Sequence, residues 1–82
     1  MRVNLLYFAS LRESLGKNGE TLELPAHIGD TGALRDWLAA EGRPALATTR
    51  NLRCAINQDM ADFATPLKDG DEVAFFPPVT GG

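Results

Sequence analysis

The stretch that decides the fold is Val3-Asn4-Leu5-Leu6-Tyr7-Phe8-Ala9, which is nearly continuous in apolar side chains. Such a run is typical of a central strand that is covered on one face and at least partly on the other. A strand at the edge of a sheet would carry more polar residues. We therefore expect this strand to lie inside a sheet.

Two elements follow directly along the chain. Ser10-Leu11-Arg12-Glu13 has the S-x-x-E form of a capping box, which predicts a short helix that begins at Ser10 and stops at Gly16. Thr21-Leu22-Glu23-Leu24 alternates in polarity and ends at Pro25, which predicts a second strand. This strand pairs most simply with the first.

A longer helix is predicted from a cap at Asp30 or Thr31 to about Glu41. Its apolar residues Leu34, Trp37 and Leu38 recur at helical spacing and predict a face that packs in the core. For Trp37, stacking on a ligand is the less favoured alternative. Gly42 and Pro44 end the helix, and residues 45–51 are predicted to be irregular.

Two more strands complete the pattern. Residues 52–57 predict a strand with Leu52, Cys54 and Ile56 on one face, so Cys54 is interpreted as a small buried hydrophobe. After a turn at Asp69-Gly70, residues 72–76 predict the last strand, with Phe75 and Phe76 on opposite faces. One phenylalanine should be less buried and could anchor a partner protein, or lie beneath the loop from residue 58 to 66.

Composition limits what this chain can be. Its 82 residues predict one domain, its net charge is −3 with dispersed arginines, and no apolar run reaches the ~20 residues that span a bilayer. We therefore expect neither nucleic acid nor membrane as a partner. The single cysteine is compatible with a reducing compartment, so cytoplasm is the default expectation. His27, the sole histidine, has no neighbours that would form a metal site and is interpreted as an exposed loop residue.

The sequence closes with Gly81-Gly82, which follows Pro77-Pro78. Two glycines place no side chain near the last carboxylate, so a partner enzyme can close a narrow channel around bare backbone. Two prolines end sheet pairing and favour a stiff, extended spacer. We predict a domain at residues 1–76 and an extended reactive tail at residues 77–82.

The final fourteen residues, 69–82, closely resemble the C-terminus of the small, sulfur-carrier subunits of molybdopterin synthase. Similar stretches are Ala55-Ile56-Asn57-Gln58, Thr65-Pro66-Leu67-Lys68 and residues 6–13, so that about half of the chain carries the likeness. The resemblance implies an α+β fold of the ubiquitin-like β-grasp type, in which the first and last strands are neighbours. A mixed sheet would pack on one long helix, with an additional short helix.

The resemblance also implies a chemistry. An ATP-dependent activating enzyme would adenylate the Gly82 carboxylate, which a sulfur donor protein would then convert to a thiocarboxylate. The sulfur would be transferred to cyclic pyranopterin monophosphate within a heterotetramer of two small and two large subunits. The chain would bind no cofactor and no metal, and would be no enzyme on its own.

Individual residues take roles from the same resemblance. Gly82 would carry the adenylate and then the sulfur, and Gly81 would leave clearance for threading. Residues at the root of the tail would bind the partners, with Phe75 as the main hydrophobic contact; they are Phe75, Phe76, Pro77, Pro78, Val79 and Thr80.

Three alternatives stay open from the sequence. The chain could carry sulfur for thiazole or cysteine synthesis, although the double proline argues against a thiazole carrier. It could be a ubiquitin-like protein modifier. It could also be a non-covalent binding module in which the diglycine is incidental. An autonomous enzyme is disfavoured because no catalytic motif is present.

Overall fold

The computed structural model describes residues 1–78 of the chain. Within them, the chain forms five strands and three helices. The strands are β1 Arg2–Tyr7, β2 Gly19–Glu23, β3 Arg53–Ile56, β4 Asp59–Ala61 and β5 Glu72–Phe76. The helices are α1 Ser10–Leu15, α2 Thr31–Ala40 and α3 Ala45–Thr48.

The strands form one mixed sheet in the order β2-β1-β5-β3-β4. β1 and β5 are parallel neighbours at its centre, with Leu5 opposite Val73 and Tyr7 opposite Phe75. The other pairs are antiparallel. The prediction that the apolar run after Met1 forms a central strand is therefore confirmed, and so is the adjacency of the first and last strands.

The core lies between one face of this sheet and the helices. Alternate residues of β1 and β5 point into it, and Val3, Val73 and Phe75 have no exposed surface. Helix α2 covers them with Leu34 and Leu38, which are also fully buried. Trp37 is half-buried and packs against this cluster, as its helical spacing predicts.

The start of α2 is fixed by polar contacts. Asp30 occupies the N-cap and its Oδ1 accepts a hydrogen bond from the Ala33 amide at 2.7 Å, which confirms one of the two predicted caps. Thr31 is fully buried, and its hydroxyl donates to the Thr65 carbonyl at 3.0 Å. The bond from Thr31, together with those from the amides of Thr31 to the Thr65 carbonyl and of Gly32 to the Phe63 carbonyl, ties the segment after β4 to the helix.

The predicted capping box of α1 is wrong. Ser10 is already the first helical residue, Ala9 occupies the N-cap with a φ of 53°, and no side chain caps the helix. The chain makes a sharp turn at Ala9 immediately after β1, which places the serine one position too late to act as the cap. The predicted stop at Gly16 is confirmed, since Gly16 has a left-handed φ of 73°.

Two elements escape the sequence pattern. Residues 45–48 form the short helix α3, whose Leu46 is buried, where an irregular segment is predicted. Asn57 and Gln58 both have positive φ, of 50° and 71°, and so form a two-residue hairpin turn into β4. Because this turn contains no glycine, the residue pattern carries no clear hairpin signal.

Candidate functional site

The face of the sheet opposite the helices carries the candidate site. Strand alternation turns Leu6 of β1 and Ala74 of β5 toward this face, and the two are direct neighbours in the parallel pair. Ala55 of β3 lies opposite Ala74, and Met60 of β4 lies opposite Ala55. The four strands thus form a continuous apolar row across the sheet.

Two aromatic residues extend this row at the end where β5 leaves the sheet. Phe76 is the last residue of β5 and is half-buried. Phe8 lies just beyond β1, held by a 3.2 Å hydrogen bond from its amide to the Phe75 carbonyl, and its exposed fraction is 46%. Met60 is 63% exposed. We name the set Leu6, Phe8, Ala55, Met60, Ala74 and Phe76 the open face.

The exposure of the two adjacent phenylalanines corrects one prediction. Phe75 has no exposed surface and is a core residue, so its side chain does not reach the open face. The reason is the two-residue period of a strand, because Phe75 shares its face with the buried Val73 while Phe76 shares the opposite face with Ala74. The prediction that one of the pair is less buried is confirmed, and that residue is Phe76.

The root of the tail lies beside the open face. Pro77 and Pro78 follow Phe76 and are half-buried, and Pro78 lines a shallow groove together with Arg53, Met60 and Phe63. Beyond this point, the predicted site residues Val79, Thr80, Gly81 and Gly82 lie outside the described residues. The division into a domain at 1–76 and a tail at 77–82, and the roles of these residues, stay predictions.

A charged cluster links Tyr7 of β1, Glu20 of β2 and Arg43. The side chains of Arg43 and Glu20 form a bidentate pair, with Nε to Oε2 at 2.7 Å and Nη2 to Oε1 at 2.6 Å. The Tyr7 hydroxyl donates to the same Glu20 carboxylate at 2.6 Å. This cluster joins β1 and β2 to the segment that follows α2.

The cluster shifts the acidity of its members. Hydrogen bonds from Arg43, with a smaller contribution from Tyr7, lower the pKa of Glu20 to about 2. Burial, aided by the bond to Glu20, raises the pKa of Tyr7, and the Glu20 carboxylate raises that of Arg43. Arg43 also donates from Nη1 to the Glu41 carbonyl at 2.8 Å, and within residues 1–78 no buried side-chain polar atom lacks a partner. We therefore interpret the cluster as a structural clamp between elements.

The remaining chemistry-bearing side chains stand apart from the open face. Cys54 is fully buried, its thiol donates to the Ala61 carbonyl at 3.4 Å, and burial raises its pKa. A buried, protonated thiol is a poor nucleophile, which agrees with its interpretation as a small hydrophobe. His27 is exposed, as predicted. Within residues 1–78, no group of three or more histidine, cysteine or acidic residues is placed to hold a metal ion.

Sequence reasoning missed Phe8 and Met60 as surface residues. Phe8 belongs to the apolar run that contains β1, and its alternation with Tyr7 is the signal that it faces the other way. Met60 lies on β4, for which the sequence pattern predicts no strand, so no periodicity places it.

No helix within residues 1–78 is long and apolar enough to cross a membrane.

The parallel central pair, the antiparallel flanking strands and the helix packed across one face define a ubiquitin-like β-grasp domain. Solved structures of this class superpose on it along the whole chain. The small archaeal modifier protein SAMP1 from Haloferax volcanii aligns with a TM-score of 0.80 and 25% identity over 100% of both chains. The fold predicted from the sequence is therefore confirmed.

Within this class the chain belongs to the ThiS family, whose model matches residues 5–82. The molybdopterin synthase sulfur carrier subunit of Escherichia coli is 46% identical over 82 residues, covering 98% of this chain and 99% of that protein. A solved complex of subunits 1 and 2 of the molybdopterin-converting factor from Helicobacter pylori contains a chain that aligns with a TM-score of 0.67 and 26% identity, over 100% of both chains. The resemblance stated from the sequence is confirmed.

Proposed function

We propose that this chain is the sulfur-carrier subunit of a molybdopterin synthase and acts through its terminal Gly82. The family membership and the 46% identity to a sulfur carrier subunit over nearly the full chain support this function most directly. The buried core supplies a stable platform, and the reactive group is the backbone carboxylate at the end of the tail.

Chemistry explains why such a tail needs activation. A carboxylate is a poor electrophile, so an activating enzyme first joins it to AMP from ATP and releases pyrophosphate. Hydrosulfide supplied by a sulfur donor protein then attacks the acyl carbon, displaces AMP and leaves a thiocarboxylate on Gly82. ATP is used by the activating enzyme, and the chain itself holds no cofactor. The terminal sulfur is donated to cyclic pyranopterin monophosphate to build the dithiolene of molybdopterin.

The open face is the proposed docking surface for the large subunit of the synthase. It is apolar, it is partly exposed, and β5 leads from it directly into Pro77-Pro78. Exposed apolar surface of this kind marks protein interaction sites in soluble proteins. A partner seated on this face would hold the root of the tail and aim the following residues into its own active site. In this proposal Phe76, and not Phe75, is the main hydrophobic contact with the partner.

Further features of the assembly belong to the same proposal. Two carrier chains bind a dimer of large subunits, so that the complex is a heterotetramer, and it works in the cytoplasm. Val79 and Thr80 bind the partner as the tail enters it. Gly81 provides the clearance that lets the tail thread.

Intact mass spectrometry tests the central step. The chain is incubated with ATP, magnesium, the activating enzyme and a sulfur donor, and exchange of one oxygen for sulfur adds about 16 mass units to the acyl terminus. A parallel reaction without ATP should show no gain. A chain that gains no mass beside an activating enzyme of proven activity would contradict the carrier function.

A substitution in the tail tests how the terminus is reached. Gly81→Val should leave the domain folded, because the tail lies beyond the last core residue, Phe75. The added side chain should block activation or transfer by crowding the channel. Circular dichroism checks the fold, and the mass gain checks activation. Unchanged activation and transfer in this variant would contradict the threading role of Gly81.

A protein-modifier function is the second candidate, because the chain also aligns along its whole length with the small archaeal modifier protein SAMP1. Modification would join the activated Gly82 carbonyl to a lysine amine instead of to sulfur. Mass spectrometry of the same reaction without a sulfur donor separates the two, since a modifier would form adducts with the mass of this chain on other proteins.

A further inference from the structure

One charged side chain interrupts the otherwise apolar end of the open face. Arg53, the first residue of β3, lies directly opposite Phe76 in the antiparallel pair and is exposed. It therefore points to the same side of the sheet as Phe76 and Ala55. It also lines the groove next to Pro78, at the root of the tail.

Arg53 is one of four basic residues that have no ionic partner among residues 1–78, the others being Arg12, Arg50 and Lys68. Of these four, it is the one that lies beside Phe76 and Pro78. Within residues 1–78, its guanidinium makes no ion pair and no side-chain hydrogen bond, although Asp62 lines the same groove. Several other basic side chains are matched with acids, namely Arg2 with Glu23, Lys17 and Arg43 with Glu20, and Arg35 with Asp36.

An unpartnered guanidinium beside an anchor residue has a consequence for docking. Directly opposed side chains of an antiparallel pair have Cβ atoms about 5 Å apart, so a partner that covers Phe76 also excludes water from much of Arg53. Removing a charge from water is costly unless an opposite charge and its hydrogen bonds replace the lost hydration. The five N–H donors of arginine form a rigid fork that fits a carboxylate.

We propose that Arg53 is a specificity-determining residue that pairs with a carboxylate on the docking surface of the large subunit. The inference rests on the proposed function, since it requires the partner to sit on the open face. At long range, a chain of net charge −3 attracts basic surfaces. The proposed contact is local and has the reverse polarity, because a positive residue of this chain meets an acidic residue of the partner. A carboxylate at this one position would distinguish the cognate large subunit from other basic or apolar surfaces.

Replacement of Arg53 by methionine tests the pairing. Methionine keeps an unbranched stem but removes the charge, so it makes docking easier if Arg53 is merely desolvated and harder if it pairs with an acid. We expect Arg53→Met to raise the dissociation constant for the purified large subunit about tenfold or more, and Arg53→Glu to raise it further. Titration calorimetry at low and high salt measures both, and the salt dependence of binding should be weaker in Arg53→Met than in the wild type.

Lys17 supplies the matched control. It is exposed on the turn between α1 and β2, on the side of the sheet where the edge strand β2 lies. Lys17→Met and Lys17→Glu make the same changes in net charge, and we expect affinities within about twofold of the wild type because the site lies away from the open face. Thermal unfolding of all variants excludes loss of folding as the cause.

The outcomes separate the two proposals. Wild-type binding with an equal or tighter affinity for Arg53→Met would overturn the pairing of Arg53 and leave the proposed function standing. Failure of the wild-type chain to bind the large subunit would overturn both. Recovery of Arg53→Glu binding by a single acid-to-lysine substitution on the large subunit would support the pairing and identify its carboxylate.

Discussion

The two faces of the central strands use neighbouring residues for different purposes. On the helix-covered face, Val73 and Phe75 have no exposed surface and hold the domain together. On the open face, Ala74 and Phe76 alternate with them along the same strand and lead into the tail. The covered face is apolar because folding buries it, whereas the open face is apolar although folding leaves Phe8 and Met60 exposed.

This difference separates the requirements of folding from those of docking. A strand with a two-residue period allows each set of side chains to change without altering the other. Apolar residues that do not stabilise the folded domain need another reason to be apolar, and binding of a partner supplies one. Substitutions on the covered face should therefore lower stability, whereas substitutions on the open face should lower affinity for the partner and change stability little.

The largest effect is expected from Phe75→Ala on the covered face. Truncation of a fully buried phenylalanine should lower the free energy of unfolding by about 3–5 kcal/mol, which is much of the stability of so small a domain. Urea denaturation of the variant and the wild type measures this change. A loss below about 1 kcal/mol would mean that Phe75 is not part of the core.

Phe76→Ala on the open face should have the reverse effect. Affinity for the large subunit should fall by about 2 kcal/mol or more, as is usual for a central aromatic anchor. The free energy of unfolding should change much less than in Phe75→Ala, because Phe76 is only half-buried. Binding calorimetry and urea denaturation of both Phe75→Ala and Phe76→Ala measure the affinity and the free energy of unfolding of each variant. Normal affinity in a folded Phe76→Ala chain would remove the open face as the docking surface.

A substitution in the clamp of Tyr7, Glu20 and Arg43 should lower stability without affecting docking. Glu20→Gln should cost about 2 kcal/mol, because charge-assisted hydrogen bonds contribute more than neutral ones. The affinity for the large subunit should not change. Arg35→Gln provides a control, because its pair with Asp36 is on the surface and should contribute less than about 1 kcal/mol.

Acid should weaken the same clamp. The folded chain binds the Glu20 proton more weakly than the unfolded chain, since its pKa falls from 4.5 to about 2. The contribution of Glu20 to the free energy of unfolding is therefore complete above about pH 4.5 and is lost as the pH falls toward 2. Denaturation series from pH 6 to pH 2 should converge for the wild type and Glu20→Gln. Parallel curves would show that the carboxylate is not stabilised by Arg43.

Much of the fold could be predicted because local patterns and tertiary structure agree. The apolar run of β1, the helical spacing of Leu34 and Leu38, and the limits of β5 all appear in the structure as predicted. The misses occurred where local chemistry was unusual. Asn57 and Gln58 adopt positive φ although neither is glycine. Helix α3 is short, and its Leu46 is buried in the core by tertiary packing that a local pattern does not reveal.

The site was predicted less completely, because a tail motif reveals chemistry but not the surface that presents it. Periodicity showed that Phe75 and Phe76 face opposite ways, yet it could not show which face the helices cover. That choice depends on contacts between residues far apart in sequence, such as Phe75 with Tyr7 and Cys54. Arg53 and Met60 become neighbours of the tail root only through strand pairing.

The smallest effect on stability is expected from Met60→Ala, which refines the limits of the open face. Met60 is 63% exposed on the short edge strand β4, so the free energy of unfolding should change by less than about 0.5 kcal/mol. Affinity for the large subunit should fall by about 1 kcal/mol if docking extends across β3 to this edge. The control is Asp59→Ala on the same strand as Met60. Asp59 lies opposite Ile56 of β3 and so faces away from the open face. Unchanged affinity for Met60→Ala beside a defect in Phe76→Ala would confine the docking surface to the central strands, where β1 and β5 lead to the tail.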